Sequence, residues 1–265
     1  MAFAIDDFAR TAAAVRWDDL DVATAFAERP LSVGALRSLR YMSDIESYTV
    51  CYLRDLLVTP SHNDPDVTTF LTMWNYEEYW HGEALADVLA AHGVPTGNDH
   101  LREVRTRDGF RGRFDPMKQW LLANVIGEDF IATHMTWGAL NEWSAHAAYS
   151  SLTRIEQHPV LTELLARIIK QETRHAAFYT SQARTRLAAS RKAQRIARFA
   201  LEKAWNPVGS GVMPDVEVEF MLTYLMGGAE GRAEARRMDH KLDSMPGLEG
   251  MHLVERALDK RGIPA

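Results

Sequence analysis

The sequence predicts an all-α protein, and three observations support this prediction. Hydrophobic side chains recur every three or four residues along most of the 265-residue chain, and no stretch shows the two-residue alternation of a half-buried strand. The 16 glycines and 10 prolines are few for this length, while alanine, leucine, arginine and glutamate are plentiful, a bias that favours helix over sheet. An apolar fraction of 46% with 25% charged residues is typical of a globular chain with a sizeable core. We therefore expect one helical domain over residues 1–265.

The first half of the chain is predicted to hold one shorter and two long helical segments. The acidic segment Asp7–Glu28 is expected to be helical and to end before Pro30. Two amphipathic stretches follow, at about 31–58 and 66–92, and the turn between them contains two prolines. A short turn between two long helices predicts that they pack as an antiparallel hairpin.

The second half is predicted to form another hairpin and a tail. An irregular stretch, about 96–114, is rich in glycine and arginine. Asp115-Pro116 has the pattern of an N-cap and a first-turn proline, which predicts a long helix to about 153. A turn at Pro159 leads into a helix that ends at about 189, and 190–265 is expected to form shorter helices. Four long helices over about 31–189, with one long connection between the second and third, describe a ferritin-like bundle.

The apolar face of each long helix is interrupted near its middle by side chains that a core does not normally contain. In a Glu-x-x-His pair both side chains point the same way, because residues three apart share a helix face. A buried carboxylate without a partner costs several kcal/mol, so a cluster of them predicts a bound cation. Four carboxylates and two imidazoles balance the charge of two divalent iron ions. The predicted metal ligands are Glu46, Glu78, His81, Glu142, Glu172 and His175.

The spacing of these residues places them at one level of the bundle. Glu46 and Glu78 lie about 13 residues, or ~20 Å, on either side of the first hairpin turn. Glu142 and Glu172 flank the Pro159 turn in the same way. A third Glu-x-x-His match begins at Glu249, but it lies two residues after Pro246-Gly247, where a helix is expected to start. A carboxylate is favourable in a first turn, so this match is set aside.

Several other residues compete for these roles. Glu128 lies on the same stripe as Glu142 but about 21 Å further along the axis, so both cannot reach the site. Glu77 is set aside because its neighbour Glu78 lies three residues before His81, the spacing that places both side chains on one helix face. His134 and His146 are expected to lie outside the ligand set or at the surface. The nearby aromatic residues are expected to pack rather than to carry electrons: Trp74, Trp80, Trp137, Trp143, Tyr149 and Tyr179.

The motifs resemble those of the soluble acyl-acyl-carrier-protein desaturases. The segment from Trp74 to Leu85, WNYEEYWHGEAL, resembles their Glu-Glu-x-Arg-His-Gly-Asp segment. Glu172-Thr173-Arg174-His175 resembles their second Glu-x-Arg-His segment, and Asn141–Ala145 lies where the family has its third-helix glutamate. The resemblance covers about 35–190. The sequence departs from the family at Trp80 for arginine, at Gln171 for aspartate, and at Ala145 for the hydroxyl residue of plant members.

The resemblance implies a function and partners. It implies a homodimeric ferritin-like bundle that holds two iron ions (Fe2+/Fe3+) per chain at the six positions named above. Such an enzyme uses O2 to remove hydrogens from an acyl chain carried by acyl carrier protein, and a ferredoxin-type donor supplies electrons. The same site would also suit another di-iron oxygenase, such as an N-oxygenase or an aldehyde-deformylating enzyme. A non-catalytic iron-binding or storage bundle and a purely structural helical module are further alternatives.

Charge and cysteine content exclude other classes. A net charge of −6 gives no global basic field for a nucleic acid. The single cysteine, Cys51, excludes a disulfide framework and fits a reducing cytoplasm. The first ten residues lack the pattern of a signal peptide, and no stretch of eighteen residues is free of charge, so no membrane span is expected. One basic run offers either a docking face for acyl carrier protein or a solvated helix face: Arg184, Arg186, Arg191, Lys192, Arg195, Arg198 and Lys203.

Overall fold

The computed structural model describes residues 3–106 and 123–265, and its regular elements there are helices, without a strand. The all-α prediction is confirmed. The helices are α1 (Ile5–Thr11), α2 (Val22–Glu28), α3 (Val33–Leu56), α4 (Pro65–Ala91), α5 (Asn98–Thr106), α6 (Asp129–Glu156), α7 (Pro159–Ala189), α8 (Arg191–Ala204), α9 (Asp215–Met226), α10 (Gly228–Asp243) and α11 (Leu253–Lys260).

Four long helices form the bundle as two hairpins. α3 packs along α4, and α6 packs along α7; α4 also contacts α7, and α3 contacts α6. The hairpin turns are defined by local capping. The Asp64 carboxylate accepts a hydrogen bond from the Val67 N–H at the start of α4. The His158 ring accepts one from the Leu161 N–H at the start of α7. Both helices then begin with proline, whose missing N–H costs nothing in the first turn.

The connection between the hairpins differs from the prediction. Part of the stretch predicted to be irregular is the helix α5, whose Val104 is fully buried. His100 on α5 lies 2.6 Å from the Asp44 carboxylate of α3, so a tertiary contact supports this helix. The predicted helix start at Asp115-Pro116 lies outside the described residues. The described α6 begins only at Asp129, since Gly127 adopts a positive φ of 76° that interrupts the helical backbone.

The predicted N-terminal helix over Asp7–Glu28 is wrong, because the structure has two short helices there. Between them, the Ala13 N–H donates to the Glu77 carboxylate (3.1 Å), and the Ala13 carbonyl accepts from the Gln171 side chain (2.8 Å). Trp17 donates its indole N–H to Asp87 (2.7 Å). The two Ala13 bonds, to α4 and α7, take backbone groups that a continuous helix would have paired internally.

The C-terminal tail is helical and breaks where the sequence predicted, at 206–214, 227–228 and 246–247. α8 packs on α6 and α7, α9 packs on α3 and α6, and α10 packs on α6 and α11. One continuous hydrophobic core joins the tail to the bundle. The tail therefore covers one side of the bundle rather than extending from it. None of the described helices is both long and apolar enough to cross a membrane.

Candidate metal centre

The structure brings the six predicted ligands together in the middle of the bundle. Each of their side chains is at most 7% exposed. Two groups of four residues each place ligand atoms within 4.8 Å of one another. One group contains Glu46 and His81, the other contains Glu142 and His175, and both contain Glu78 and Glu172.

The two shared carboxylates lie between the histidines. Glu78 places one oxygen 3.4 Å from His81 Nδ1 and the other 3.1 Å from His175 Nδ1. Glu172 does the same at 3.2 and 3.7 Å. The two imidazole rings are 5.9 Å apart between their centroids. Each shared carboxylate can thus contribute one oxygen to each of two cation positions.

Buried side-chain atoms without a hydrogen-bond partner indicate that this centre can hold a cation. His81 Nδ1, His175 Nδ1 and both Glu172 carboxylate oxygens are buried and make no hydrogen bond of acceptable geometry. Leaving a buried polar atom unpaired costs about 1–3 kcal/mol, so four such atoms around one space are costly without a ligand. Carboxylate oxygen and imidazole nitrogen are ligands that iron accepts. The residues of each group therefore could hold a metal ion.

The other nitrogen of each ring is bound to the protein. His175 Nε2 donates to the Glu77 carboxylate at 2.7 Å, and His81 Nε2 donates to the Gln171 side-chain carbonyl at 2.8 Å. The Gln171 amide in turn donates to the backbone carbonyl of Ala13. Such outer partners set which nitrogen of a histidine is free to ligate and hold the ring in place. Glu77 is thus a partner of the centre and lies on its outer side.

Two aromatic residues expected only to pack also touch the predicted ligands. The Tyr149 hydroxyl donates a short hydrogen bond to the Glu46 carboxylate. The Trp74 indole N–H donates to the Glu142 carboxylate at 3.0 Å. Both residues lie on the ligand-bearing faces of α4 and α6. That position is the signal that could have identified them, because an indole or hydroxyl beside a buried carboxylate needs a partner.

Burial and neighbouring charges change the pKa values of the carboxyl groups. Burial raises the pKa of Glu46 well above its usual value, and the nearby Glu78 raises it further. Burial likewise raises the pKa of Glu142, with a contribution from Glu172. Burial would also raise the pKa of Glu78, but hydrogen bonds with Glu46 and contacts with the histidines lower it well below its usual value. The pKa of Glu172 is lowered despite burial, because both histidines contact it.

The two histidines have raised pKa values. Burial would lower the pKa of His81, but its contacts with Glu172 and Glu78 raise it to about 10. Burial would also lower the pKa of His175, but its four carboxyl neighbours raise it well above its usual value. Metal ligation requires carboxylates and neutral imidazoles, so the raised pKa values of Glu46, Glu142 and both histidines mean that protons compete with a metal ion at this centre.

The competing residues lie elsewhere. Glu128 is exposed at the start of α6 and belongs to neither group. His134 is buried, with Nδ1 2.8 Å from the Ser61 hydroxyl, and burial lowers its pKa to about 3. His146 is exposed. Glu249 was expected at a helix start but lies in the turn before α11, where it accepts a hydrogen bond from the Gly247 N–H.

Two adjoining cavities meet at the centre. The first, about 310 Å³, has Glu46, Glu78, Glu142 and Glu172 in its wall, which also includes the exposed Asn206. The second, about 100 Å³, lies between α3, α6 and the tail helices α9–α11. The sequence did not predict that the tail lines a cavity at the centre, because this depends on how α9–α11 pack against helices that are distant in the chain. Five residues line both cavities: Ile45, Glu46, Ala145, Pro207 and Val208.

The basic run on α7 and α8 is partly neutralised within the chain. Arg186 pairs with Asp64, Lys192 pairs with Asp129 at 3.1 Å, and Arg198 pairs with Glu202 at 3.1 Å. Arg184 donates to the Ser244 hydroxyl. Arg184, Arg186 and Lys192 thus contact other elements of the chain, whereas Arg198 pairs within α8.

Comparison of the chain with protein-family models, with curated proteins and with solved structures gave no match. The geometry and chemistry of the buried centre are therefore the basis for assigning a function.

Proposed function

We propose that the protein is a non-haem di-iron oxidoreductase that uses O2 and electrons to oxidise a hydrophobic substrate. The observation that supports this most directly is the pair of four-ligand groups that share Glu78 and Glu172 beside an apolar cavity. Desaturation of an acyl chain on acyl carrier protein is the first reaction to test. The same proposal includes a cytoplasmic homodimer that receives electrons from a ferredoxin-type donor.

Each ligand has a distinct place in the proposed centre. Glu46 and His81 would hold one iron, Glu142 and His175 would hold the other, and the two shared carboxylates would contact both. A bound iron pair supplies the capacity to bind O2 and to exchange electrons with it.

The chain's own groups prepare the centre for this chemistry. Tyr149 and Trp74 orient the carboxylates of Glu46 and Glu142 by hydrogen bonds. Ile45 and Ala145, which border both cavities, place apolar surface next to the ligands. Apolar walls exclude water, which protects an oxidant from side reactions and strengthens nearby electrostatic interactions.

The cavity also bears on the alternative functions. A storage bundle has no need of an apolar cavity beside its metal ligands, whereas an enzyme that acts on an apolar group does. An N-oxygenase or an aldehyde-deformylating enzyme would use the same centre. Binding of acyl carrier protein, or an acyl ligand that copurifies with the protein, favours the desaturase. A shell-sized assembly on a sizing column would favour storage instead.

An anaerobic Fe(II) titration followed by O2 tests the proposed function. We expect two irons per chain and, after O2, a new near-ultraviolet absorption band of an oxo-bridged iron pair. Parallel titration with Mn(II) checks the choice of metal. Absence of stoichiometric uptake would mean that the six inward side chains are only a hydrogen-bonded cluster, and the proposal would be wrong.

A further inference from the structure

We propose that the connection between α1 and α2 positions both ligand histidines through the backbone of Ala13, so that its docking and metal binding stabilise each other. This connection, residues 12–21, is called the N-terminal strap below. The inference rests on the proposed function, because it concerns the ligands of that centre, but its first test uses metal-free protein. It assigns a positioning role to a segment that contains none of the predicted ligands.

The backbone of Ala13 contacts the outer partners of both histidines. Its N–H donates to one oxygen of Glu77 at 3.1 Å, and the other oxygen of that carboxylate accepts from His175 Nε2 at 2.7 Å. Its carbonyl accepts from the Gln171 amide at 2.8 Å, and the oxygen of the same side chain accepts from His81 Nε2 at 2.8 Å. One residue of the N-terminal strap thus joins two hydrogen-bond chains that end at the two ligand rings.

The N-terminal strap helps to fix which end of the Gln171 amide faces His81. A side-chain amide has a donor end and an acceptor end, and turning it over exchanges them. With its NH2 group held by the Ala13 carbonyl, the amide presents its oxygen to His81 Nε2. This bond holds a proton on Nε2 and leaves Nδ1, which faces the shared carboxylates, as the ligating atom. Without the N-terminal strap, the NH2 group would keep only a longer bond to Glu77, 3.3 Å.

The N-terminal strap also completes the surroundings of Glu77. This carboxylate is fully buried, and a buried charge is costly unless its oxygens are hydrogen-bonded. The oxygen that accepts from Ala13 lies 3.3 Å from the Gln171 amide and 3.6 Å from the Arg174 guanidinium. Loss of the Ala13 N–H would leave that oxygen with the two longer contacts, so the carboxylate would hold His175 less firmly.

The N-terminal strap is clamped to the bundle mainly by groups that solvent reaches. The exposed Asp19 accepts two hydrogen bonds from Arg167 of α7, at 2.6 and 2.8 Å. Trp17 donates its indole N–H to Asp87 of α4 at 2.7 Å. Among the described residues of the N-terminal strap, Val15 alone is buried. A segment with few buried apolar contacts opens at a lower free-energy cost than the core unfolds.

Coupling between the N-terminal strap and the metal ions must act in both directions. If the docked segment orients the two rings for metal binding, then bound metal stabilises the docked segment by the same factor. Weakening the segment should therefore lower metal affinity, and adding metal should slow its opening. These two effects can be measured independently.

The first test uses Ala13→Pro, which removes the N–H and leaves the carbonyl. Ala12 has φ −62° and ψ 129°, an extended conformation that suits the residue before a proline. In metal-free protein labelled with 15N-histidine, we expect the Nε2 protons of His81 and His175 to exchange with water about tenfold faster in the variant, the size of effect for one lost hydrogen bond. His134, whose ring has its partner elsewhere, is the internal reference. Unchanged exchange at His81 and His175, or faster exchange at all three rings, would overturn the proposal.

The second test measures anaerobic Fe(II) affinity by competition with a chelator. Ala13→Pro should weaken binding about tenfold, the lower end of the range for an outer partner, and Asp19→Asn should weaken it by a smaller factor. Asp18→Asn is the matched control, because Asp18 is exposed and pairs at 3.6 Å with Arg16 of the N-terminal strap itself. Native affinity in both Ala13→Pro and Asp19→Asn would contradict the proposal.

Hydrogen exchange of the Ala13 amide gives the reciprocal measurement. This amide donates to Glu77, so it exchanges when the N-terminal strap opens. Fe(II) should slow its exchange in the native chain and in Asp18→Asn by a factor similar to the loss of affinity in Ala13→Pro. An exchange rate that Fe(II) does not change would refute the coupling.

The outcomes separate this inference from the proposed function. If Ala13→Pro takes up two irons with native affinity, the metal centre stands and the positioning role is refuted. If the native chain takes up no iron but Ala13→Pro selectively speeds exchange at His81 and His175, the N-terminal strap positions the rings and the di-iron function is refuted.

Discussion

The histidines of the centre depend on residues outside the ligand set. His175 is held by the Glu77 carboxylate, which also receives the Ala13 N–H. We expect Glu77→Gln to weaken metal binding about 10- to 100-fold, the range for loss of such an outer partner. Competition with a chelator measures this effect. Glu83→Gln, on the same helix but outside both ligand groups, should bind metal as the native chain does. Equal affinities for all three proteins would show that Glu77 has no part in positioning His175.

The choice between Glu142 and Glu128 as a ligand can be decided by counting metal ions. Glu142 is buried among the other ligands, whereas Glu128 is exposed. Glu142→Ala should reduce anaerobic Fe(II) binding from two ions per chain to one, while Glu128→Ala should leave it unchanged. Metal analysis after desalting gives the count. Equal loss in both variants would contradict the assignment.

Metal binding should release protons, because the metal-free centre carries them. Glu46, Glu142 and His175 have raised pKa values, and the pKa of His81 is raised to about 10. Metal binding requires carboxylates and neutral imidazoles, so it displaces protons from these groups. Apparent affinity should therefore rise with pH over the neutral range.

Calorimetry at pH 7 in buffers of different ionisation enthalpy counts these protons. Net release of protons on metal binding is expected from the native chain. Glu142→Ala, which removes one protonated group and one metal position, should release fewer. A pH-independent affinity would show that the centre is not protonated in this way.

At the scale of elements, the approach of α6 to α7 depends on a glycine. A Cβ at Gly138 would lie 2.2 Å from the Tyr179 ring, which is fully buried. Overpacking of this kind costs about 1–3 kcal/mol, so Gly138→Ala should lower the melting temperature by several degrees. Thermal unfolding followed by circular dichroism measures the shift. Adding Tyr179→Leu should recover part of it, and no recovery would place the strain elsewhere.

Local pattern predicted the long helices well and the short ones less well. The helix expected over 31–58 is Val33–Leu56, and the fourth bundle helix ends at Ala189 as expected. The apolar stripe and the capping residues that define each of these helices are local in the sequence, so they can be recognised without the tertiary structure. The break between α1 and α2 follows instead from bonds of Ala13 to residues 64 and 158 positions away. No local pattern contains that information.

At the scale of the whole molecule, a bound metal pair would join the two hairpins. Glu46 and Glu78 belong to the first hairpin, and Glu142 and Glu172 to the second. A ligand that binds only the folded state stabilises it, by about 2.7 kcal/mol at 100 times its dissociation constant. We expect anaerobic Fe(II) to raise the melting temperature of the native chain and of Glu128→Ala alike, with a smaller rise for Glu142→Ala. A rise of the same size in all three would indicate binding outside the centre.

The sequence by itself determined the helical class, the two long hairpins and the six inward ligand candidates. These features follow from residue types repeated at helical spacing, which local chemistry sets. The tertiary structure decided the outer partners Glu77 and Gln171, the contacts of Tyr149 and Trp74, and the cavity walled by α9–α11. Each of these joins residues far apart in the chain, and their meeting depends on how whole helices pack, which the spacing of residues along one helix does not specify.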